Sequence, residues 1–487
     1  MTGMDEVGRL FNNNELIVAE VLQSAEVMKA SVAHLEPFME KKADDNGKRK
    51  ILLATVKGDV HDIGKNLVEI ILGNNGFKIV NLGIKVTSQE LIEAVRKENP
   101  DAIGLSGLLV KSAQQMVLTA QDLRQQEISI PILVGGAALT RKFTDTKIAA
   151  EYEGLVLYAK DAMNGLELAN RLAKPEERVR LTDEIAEARA KKEAVRLPER
   201  KPILERVIDE NAKSDVRRDG PIFTPSDLDV HILRDYKLSH LEPYINMQML
   251  LGRHLGIQGK VSRLLEEKDE RTVELKEKVD EFLVKAKQNQ VIQAHGMYQF
   301  FPAQADGNDI VIYDPKDKTT EIERFSFPRQ THKPFLCLAD YIRPVSSGEI
   351  DYVGFLAVTA GHGVRELAEQ AKRDGDYLYS HLIQAAALEI AEGFAERVHQ
   401  QMRDRLGMPD SADMTMEDRF SAKYQGVRVS FGYPACPNLE DQEKLFSLLK
   451  PEKIGISLTE GFMMEPEASV TAMVFAHPEG RYFNVLA

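Results

Sequence analysis

The chain has 487 residues, 43% of them hydrophobic, 29% charged and 7% aromatic, which suits a globular protein of about two to four domains. A net charge of −13 argues against a broad nucleic-acid surface, and the two cysteines, Cys337 and Cys436, exclude a disulfide framework or thiolate zinc cluster and fit a reducing cytoplasm. No apolar run reaches the length of a membrane span, and the opening MTGMDEVGRL lacks the basic and apolar blocks of a signal peptide.

Two helical stretches come first. Met4, Val7, Leu10 and Phe11 fall at helical spacing, and a second stripe runs from Glu15 to about Met39. Both need a partner surface. The polar KKADDNGKRK reads as a linker. From Ile51 the pattern becomes strand, loop and helix: ILLATV, KGDVHDIGK, NLVEIILGNNG. Four more such units follow, opening on FKIVNLG, DAIGLSGLL, ISIPILVGGAA and YEGLVLYAKDA. Five alternating units predict a five-stranded parallel, doubly wound α/β sheet that binds ligands beyond the carboxyl ends of its strands. Residues 175–220 are dense in charge and predict a solvated helix and a tether. From Pro221 long helical patterns mix with short β runs, which predicts a separate α+β domain.

The loop after the first strand holds Asp59, His61 and Gly64 as D-x-H-x-x-G. By itself this is most simply a solvated loop with a capping aspartate. Ser106, Gly135 and Gly136 end the third and fourth strands on the same sheet edge, so these loops can share one ligand. A neutral imidazole is a good cobalt ligand, and a carboxylate on its other nitrogen fixes the tautomer. Asp59 is near enough to do this, and the Ser112 hydroxyl can extend the relay. Further on, YQGVRVSFGYPACP over 424–437 reads either as a surface loop or as a backbone-rich ligand loop. In the second reading Arg428 takes a carboxylate and Tyr433 stacks or hydrogen-bonds.

ATVKGDVHDIGKN, with GLSGLL and VGGAA, resembles the cobalamin domain of the cobalamin-dependent methionine synthase family. The resemblance implies His61 as lower axial ligand of cobalt, with Asp59 and Ser112 as its relay. Gly58, Val60, Asp62, Ser106, Val110 and Ala162 fall where that family lines the corrin or its tail, with Val110 in place of a hydroxyl residue. Gly64, Gly135 and Gly136 complete the set. The first helices resemble half of the family's helical cap, with Phe11, Ile17, Val18 and Val21 at its contact positions. The segments FFPA, CLADYI, GFLAVTAG, AEGFAERVH and LTEGFMMEPEASV, with 424–437, are similar to the family's reactivation domain, which binds S-adenosylmethionine. By position Asp340 and Glu392 match contacts to the amino group, Arg428 to the carboxylate, and Tyr433, Tyr482 and Phe483 contacts near the ligand or its methyl. Ala422 stands where the family can carry a glutamate.

The resemblance implies four segments: a partial cap over 1–46, a flavodoxin-like cobalamin domain over 47–174, a charged linker over 175–220, and a reactivation domain over 221–487. It implies a cytoplasmic methyltransferase portion that carries a methyl group on cobalt (methylcobalamin). Oxidised cob(II)alamin is remethylated from S-adenosylmethionine with one electron from flavodoxin or a related flavoprotein reductase. The homocysteine and folate modules are expected upstream, the last helix of the family is expected beyond the C-terminus, and no zinc is expected in this portion. The alternatives are a corrinoid methyl carrier or a B12 sensor without methionine synthase activity. A sensor needs an output domain, and no basic recognition helix is found.

Overall fold

The computed structural model of the protein describes residues 2–35, 49–194, 213–289 and 291–485. The end of the second helical stripe, most of the KKADDNGKRK segment and the middle of the charged 175–220 stretch lie outside these residues.

Helices α1 (Thr2–Asn12) and α2 (Val18–Leu35) precede a parallel sheet. Its strands are β1 (Lys50–Thr55), β2 (Lys78–Asn81), β3 (Ala102–Ser106), β4 (Ile132–Gly135) and β5 (Val156–Tyr158), in the order β2-β1-β3-β4-β5. Strands buried on both faces need continuous apolar runs, and Ile51 to Thr55 are all buried. Helices α3 (Ile63–Asn74), α4 (Ser88–Glu98), α5 (Val110–Gln125) and α6 (Ala162–Ala173) cover the sheet. The start of α4 is written locally, because Thr87 and Glu90 form a reciprocal capping box. Strand order reverses between β1 and β3, so the His61 loop and the loop after Ser106 open side by side at this switch point. Helix α7 (Pro175–Ala194) opens the charged stretch. Leu181 is buried and Arg171 pairs with Glu184 at 2.8 Å, so the start of that stretch is docked rather than free.

The C-terminal domain is built on a seven-stranded antiparallel sheet. Its strands are β6 (His231–Leu233), β7 (Gln293–Asp306), β8 (Asp309–Tyr313), β9 (Glu321–Ser326), β10 (Asp351–His362), β11 (Val427–Val429) and β12 (Ser469–Phe475). The path is β11-β12-β10-β7-β8-β9, with β6 on β7. Helices α8 (Glu270–Asn289), α9 (Val364–Asp374) and the 29-residue α10 (Tyr377–Arg405) complete it. Most of α10 is buried, as its alanine-rich, unstriped composition requires.

The two domains are docked. Lys57, Lys85 and Lys111 of the parallel-sheet domain pair with Glu460, Glu465 and Glu440 at 2.9, 2.7 and 3.1 Å. Thr459 Oγ1 donates to the Gly58 carbonyl at 2.8 Å. The backbones of Gly58 and Gly461 touch so closely that a Cβ on Gly461 would lie 2.7 Å from the Gly58 carbonyl oxygen.

The first helices bind both domains from the side. Phe11 and Val21 pack with α3 and α6, while Ile17 and Val18 join the core around α10. Arg271 pairs with Glu20 at 2.8 Å, and Glu26 accepts from the Leu378 amide at 2.7 Å.

Candidate functional site

Asp59 organises the loop after β1. Its Oδ1 meets His61 Nδ1 at 2.7 Å and accepts from the His61 amide at 2.9 Å. Its Oδ2 accepts from Ser112 Oγ at 2.5 Å and from the Leu108 amide at 2.8 Å. A carboxylate removed from water needs such a set of donors. Burial pushes the Asp59 carboxyl up, but His61 and Ser112 outweigh it and hold it below the usual range. Burial pushes the His61 imidazole down, and Asp59 and Glu467 more than offset this, so His61 holds a proton more firmly than usual. With Nδ1 committed to Asp59, the ring's Nε2 is left for a ligand.

Two cavities meet at this loop. The first, of about 460 Å³, is a slot between α3, the strand ends and α6, lined by Gly64, Ser106, Gly135, Gly136 and Ala162. Its edge is bare backbone by necessity: Gly136 has φ +146°, and a Cβ there would sit 1.7 Å from the Gly107 carbonyl oxygen. The second, of about 920 Å³, lies between the domains. His61, Gly64 and Ser106 form one wall, and Glu392, Arg428 and Tyr433 the other. A large flat group carried on His61, with a tail in the slot, fits this pair of spaces.

On the far wall Arg428 Nη2 stands 3.7 Å from Glu392 and 3.8 Å from Glu396. These are ion-pair distances, too long for hydrogen bonds. The guanidinium is thus held between two carboxylates with its donors available for an anion.

Several expected positions stand elsewhere. Val60 is fully buried under the loop, Asp62 faces a neighbouring interdomain cleft, and Gly58 meets Gly461. Val110 is 66% exposed at the start of α5 and lines neither cavity. Phe11, Ile17, Val18 and Val21 are not brought over His61; the C-terminal domain forms that wall, and the four side chains pack into the cores beside it. Asp340 is not brought to Glu392. It is fully buried, accepts from Arg329 at 2.7 and 2.9 Å, Ser214 at 2.8 Å and the Cys337 amide at 2.9 Å, and also pairs with Arg218. Those donors occupy its acceptor sites in this arrangement of the chain. Phe483 lies in the core beside Tyr341, and Tyr482, half exposed, lines neither cavity.

Residues the sequence did not single out line the far wall. Tyr244, Asn246, Arg253 and His254 come from the segment around a π-helical turn, Gln248–His254. Nothing in the hydrophobic period marks such a turn. Glu389 and Glu396 share the Glu392 face of α10, and that spacing was readable.

Residues 237–487, more than half of the chain, match the family described as vitamin B12 dependent methionine synthase, activation domain. The chain belongs to the vitamin B12-dependent methionine synthase family. Residues 49–166 and 1–36 match two families described as B12 binding domains. The chain is 37% identical to the methionine synthase of Mycobacterium tuberculosis and 35% identical to that of Mycobacterium leprae. Each comparison takes in 100% of this chain and 43% of the relative, so the chain spans less than half the length of these methionine synthases. The solved structure of the MetH reactivation domain bound to AdoHcy is 30% identical, with a TM-score of 0.52, over 55% of this chain and 84% of that one. Among the described residues no helix is long and apolar enough to cross a membrane.

Proposed function

We propose that this chain is the cobalamin-carrying and reactivating portion of a methionine synthase. The observation that carries the reading is the shared interdomain cavity, with His61 on one wall and Glu392, Arg428 and Tyr433 on the other. In this reading residues 47–174 hold cobalamin, 221–487 hold S-adenosylmethionine, 175–220 tether them, and 1–46 serve as a partial cap when the domains part. The domain docking seen here brings the two ligand walls together, which suits remethylation.

Bound cobalamin would supply a cobalt centre able to carry a methyl group. His61 would ligate it through Nε2, and the slot edge at Ser106, Gly135, Gly136 and Ala162 would take its tail. Asp59 orients the imidazole through Nδ1, and Ser112 and the Leu108 amide hold Asp59 in place. When His61 is free of metal, the Asp59 carboxylate on Nδ1 stabilises the imidazolium, whose second proton sits on Nε2, the nitrogen that would otherwise hold the metal. On the opposite wall Arg428 would take the carboxylate of S-adenosylmethionine, with Glu392 and the Tyr433 ring favouring its positive charge. The backbone contact of Gly58 with Gly461 closes the domain seam beside the site and would limit the entry of water there. The electron donor is a flavodoxin or related flavoprotein reductase, the homocysteine and folate modules belong to the remaining length of the relatives, and the compartment is the cytoplasm.

The test is spectroscopic. The protein reconstituted with methylcobalamin should show a histidine-ligated spectrum that changes with pH, and His61→Gly should abolish it. An unchanged spectrum in that variant sinks the assignment. Labelled methyl from S-adenosylmethionine should reach cobalt only under reducing conditions.

A further inference from the structure

Three fully buried residues of α2, Ala19, Leu22 and Ala25, enter the core around α10. Glu26 and Lys29 continue the same face of the helix, one and two turns after Leu22. They meet the elbow at which α9 ends and α10 begins. Between those helices stand only Gly375, at φ +89°, and Asp376. A helix end presents free carbonyls and partial negative charge, and a helix start presents free amides and partial positive charge. The elbow therefore sets two opposite poles side by side, and α2 answers both. Glu26 Oε1 accepts from the Leu378 amide at the start of α10, at 2.7 Å. Lys29 Nζ donates to the Arg373 carbonyl at the end of α9, at 3.3 Å, and stands 5.1 Å from the centre of the Tyr377 ring. The Lys29 stem fills the space beside Gly375, where a Cβ would lie 3.4 Å from its Cδ. Burial pushes the Glu26 carboxyl up, the Leu378 amide opposes this, and Asp376 adds to it. A carboxylate brought here is tolerated only where those amides meet it, so the contact fixes the position of α2 more than it adds affinity. The other end of α2 is fixed as well. Glu20 pairs with Arg271 at 2.8 Å, and Gly256, at φ +94°, lies so close that a Cβ there would be 3.0 Å from the Val18 nitrogen.

We infer that the α9–α10 elbow is a seat for α2, and that the C-terminal domain reaches the His61 wall only with α2 seated in it. The consequence for cofactor access rests on the reading of residues 1–46 as a cap, while the seat rests on the contacts alone. The stripe that fills the seat includes Val18, one of the residues expected over the cofactor. One helix face cannot cover His61 and fill the elbow at once. Uncovering of His61 and docking of the C-terminal domain are then a single exchange, in which the apolar stripe is out of water in both positions. Coupling of this kind is reciprocal. Whatever loosens α2 from the elbow also favours separation of the domains.

The experiment exchanges the two charges of α2 in the full chain, Glu26→Lys with Lys29→Glu. Net charge and helix propensity are kept, and neither residue lines the two cavities at His61. Both poles of the elbow now repel. Hydrogen exchange of the α2 amides should rise by about tenfold or more, the scale of two contacts between a charge and a helix end reversed in sign. Small-angle scattering should show a larger mean radius at the same time. Protection of α2 equal to that in unmodified protein overturns the seat. A loosened α2 with an unchanged radius overturns the coupling. Should the double variant fail to fold, Arg271→Glu opposes Glu20 at the outer end of the seat and should raise α2 exchange several-fold with a gain in radius; no change in either overturns the inference equally. Neither readout needs a cofactor, so failure of the unmodified protein to bind methylcobalamin overturns the function proposed above and not the seat.

Discussion

The contact between Gly58 and Gly461 offers a way to shift the domain equilibrium without touching either ligand wall. In Gly461→Ala the new Cβ would lie 2.7 Å from the Gly58 carbonyl oxygen and 3.1 Å from the Gly58 Cα and carbonyl carbon. These are backbone atoms, so no flexible side chain can yield. Gly461 has no left-handed φ, so alanine is tolerated there when the domains part; Gly58, at φ +78°, lacks that property. The cost thus falls on the docked state alone. Overpacking of one methyl typically costs about 1–3 kcal/mol. A bias of that size moves a two-state equilibrium by about 5- to 150-fold. The Thr459 hydroxyl bond to Gly58 at 2.8 Å would be strained by the same displacement. Small-angle scattering should show a larger mean radius for the variant. Remethylation from S-adenosylmethionine should slow, while cobalamin affinity and its histidine-ligated spectrum stay unchanged. An identical scattering profile with unimpaired remethylation would refute the claim that this backbone contact closes the seam.

Three further outcomes are expected. Charge reversal of Lys57, Lys85 and Lys111 to Glu should open the domains, and high salt should open the unmodified protein, because these partly exposed pairs contribute only about 0–1 kcal/mol each and are screened; scattering across a salt series checks both. Gly136→Ala should destabilise the parallel-sheet domain by about 2–4 kcal/mol and narrow the slot; equal melting and equal cobalamin affinity would show that the edge does not need bare backbone. Asp410→Asn should cost about 3–5 kcal/mol in denaturant unfolding, because it strands the buried Arg403. The same pair sets an acid limit. Burial raises the Asp410 carboxyl, but Arg403 and Arg419 prevail and hold it below the usual range. Its folded pKa lies below its unfolded one, so its stabilisation is complete above about pH 4 and fades as pH falls through the folded value. Unmodified protein should lose more stability below pH 4 than Asp410→Asn.

The parts of this protein legible in the sequence are those set by neighbours along the chain. The buried run Ile51–Thr55 and the two-residue step from Asp59 to His61 are local, and the structure contains both as read; the Thr87–Glu90 capping box is equally local. The parallel topology followed from the alternation of strand and helix, since such crossovers leave few other arrangements. The C-terminal motifs likewise marked Glu392, Arg428 and Tyr433, which share one wall.

Asp340 shows where that reasoning stops. Its motif suggested a ligand contact, but only the folded chain reveals Arg329, Arg218 and Ser214 converging on it from distant positions. The first helices show the same limit, since their apolar stripes announce burial without saying against what. Sequence pattern determined which residues would be buried, bent or charged, because those properties depend on period and local backbone preference. Which buried charge meets which partner, and which domain covers His61, was decided by the tertiary structure, because burial turns a weak pairing in water into a strong one and only the fold determines what lies across the gap.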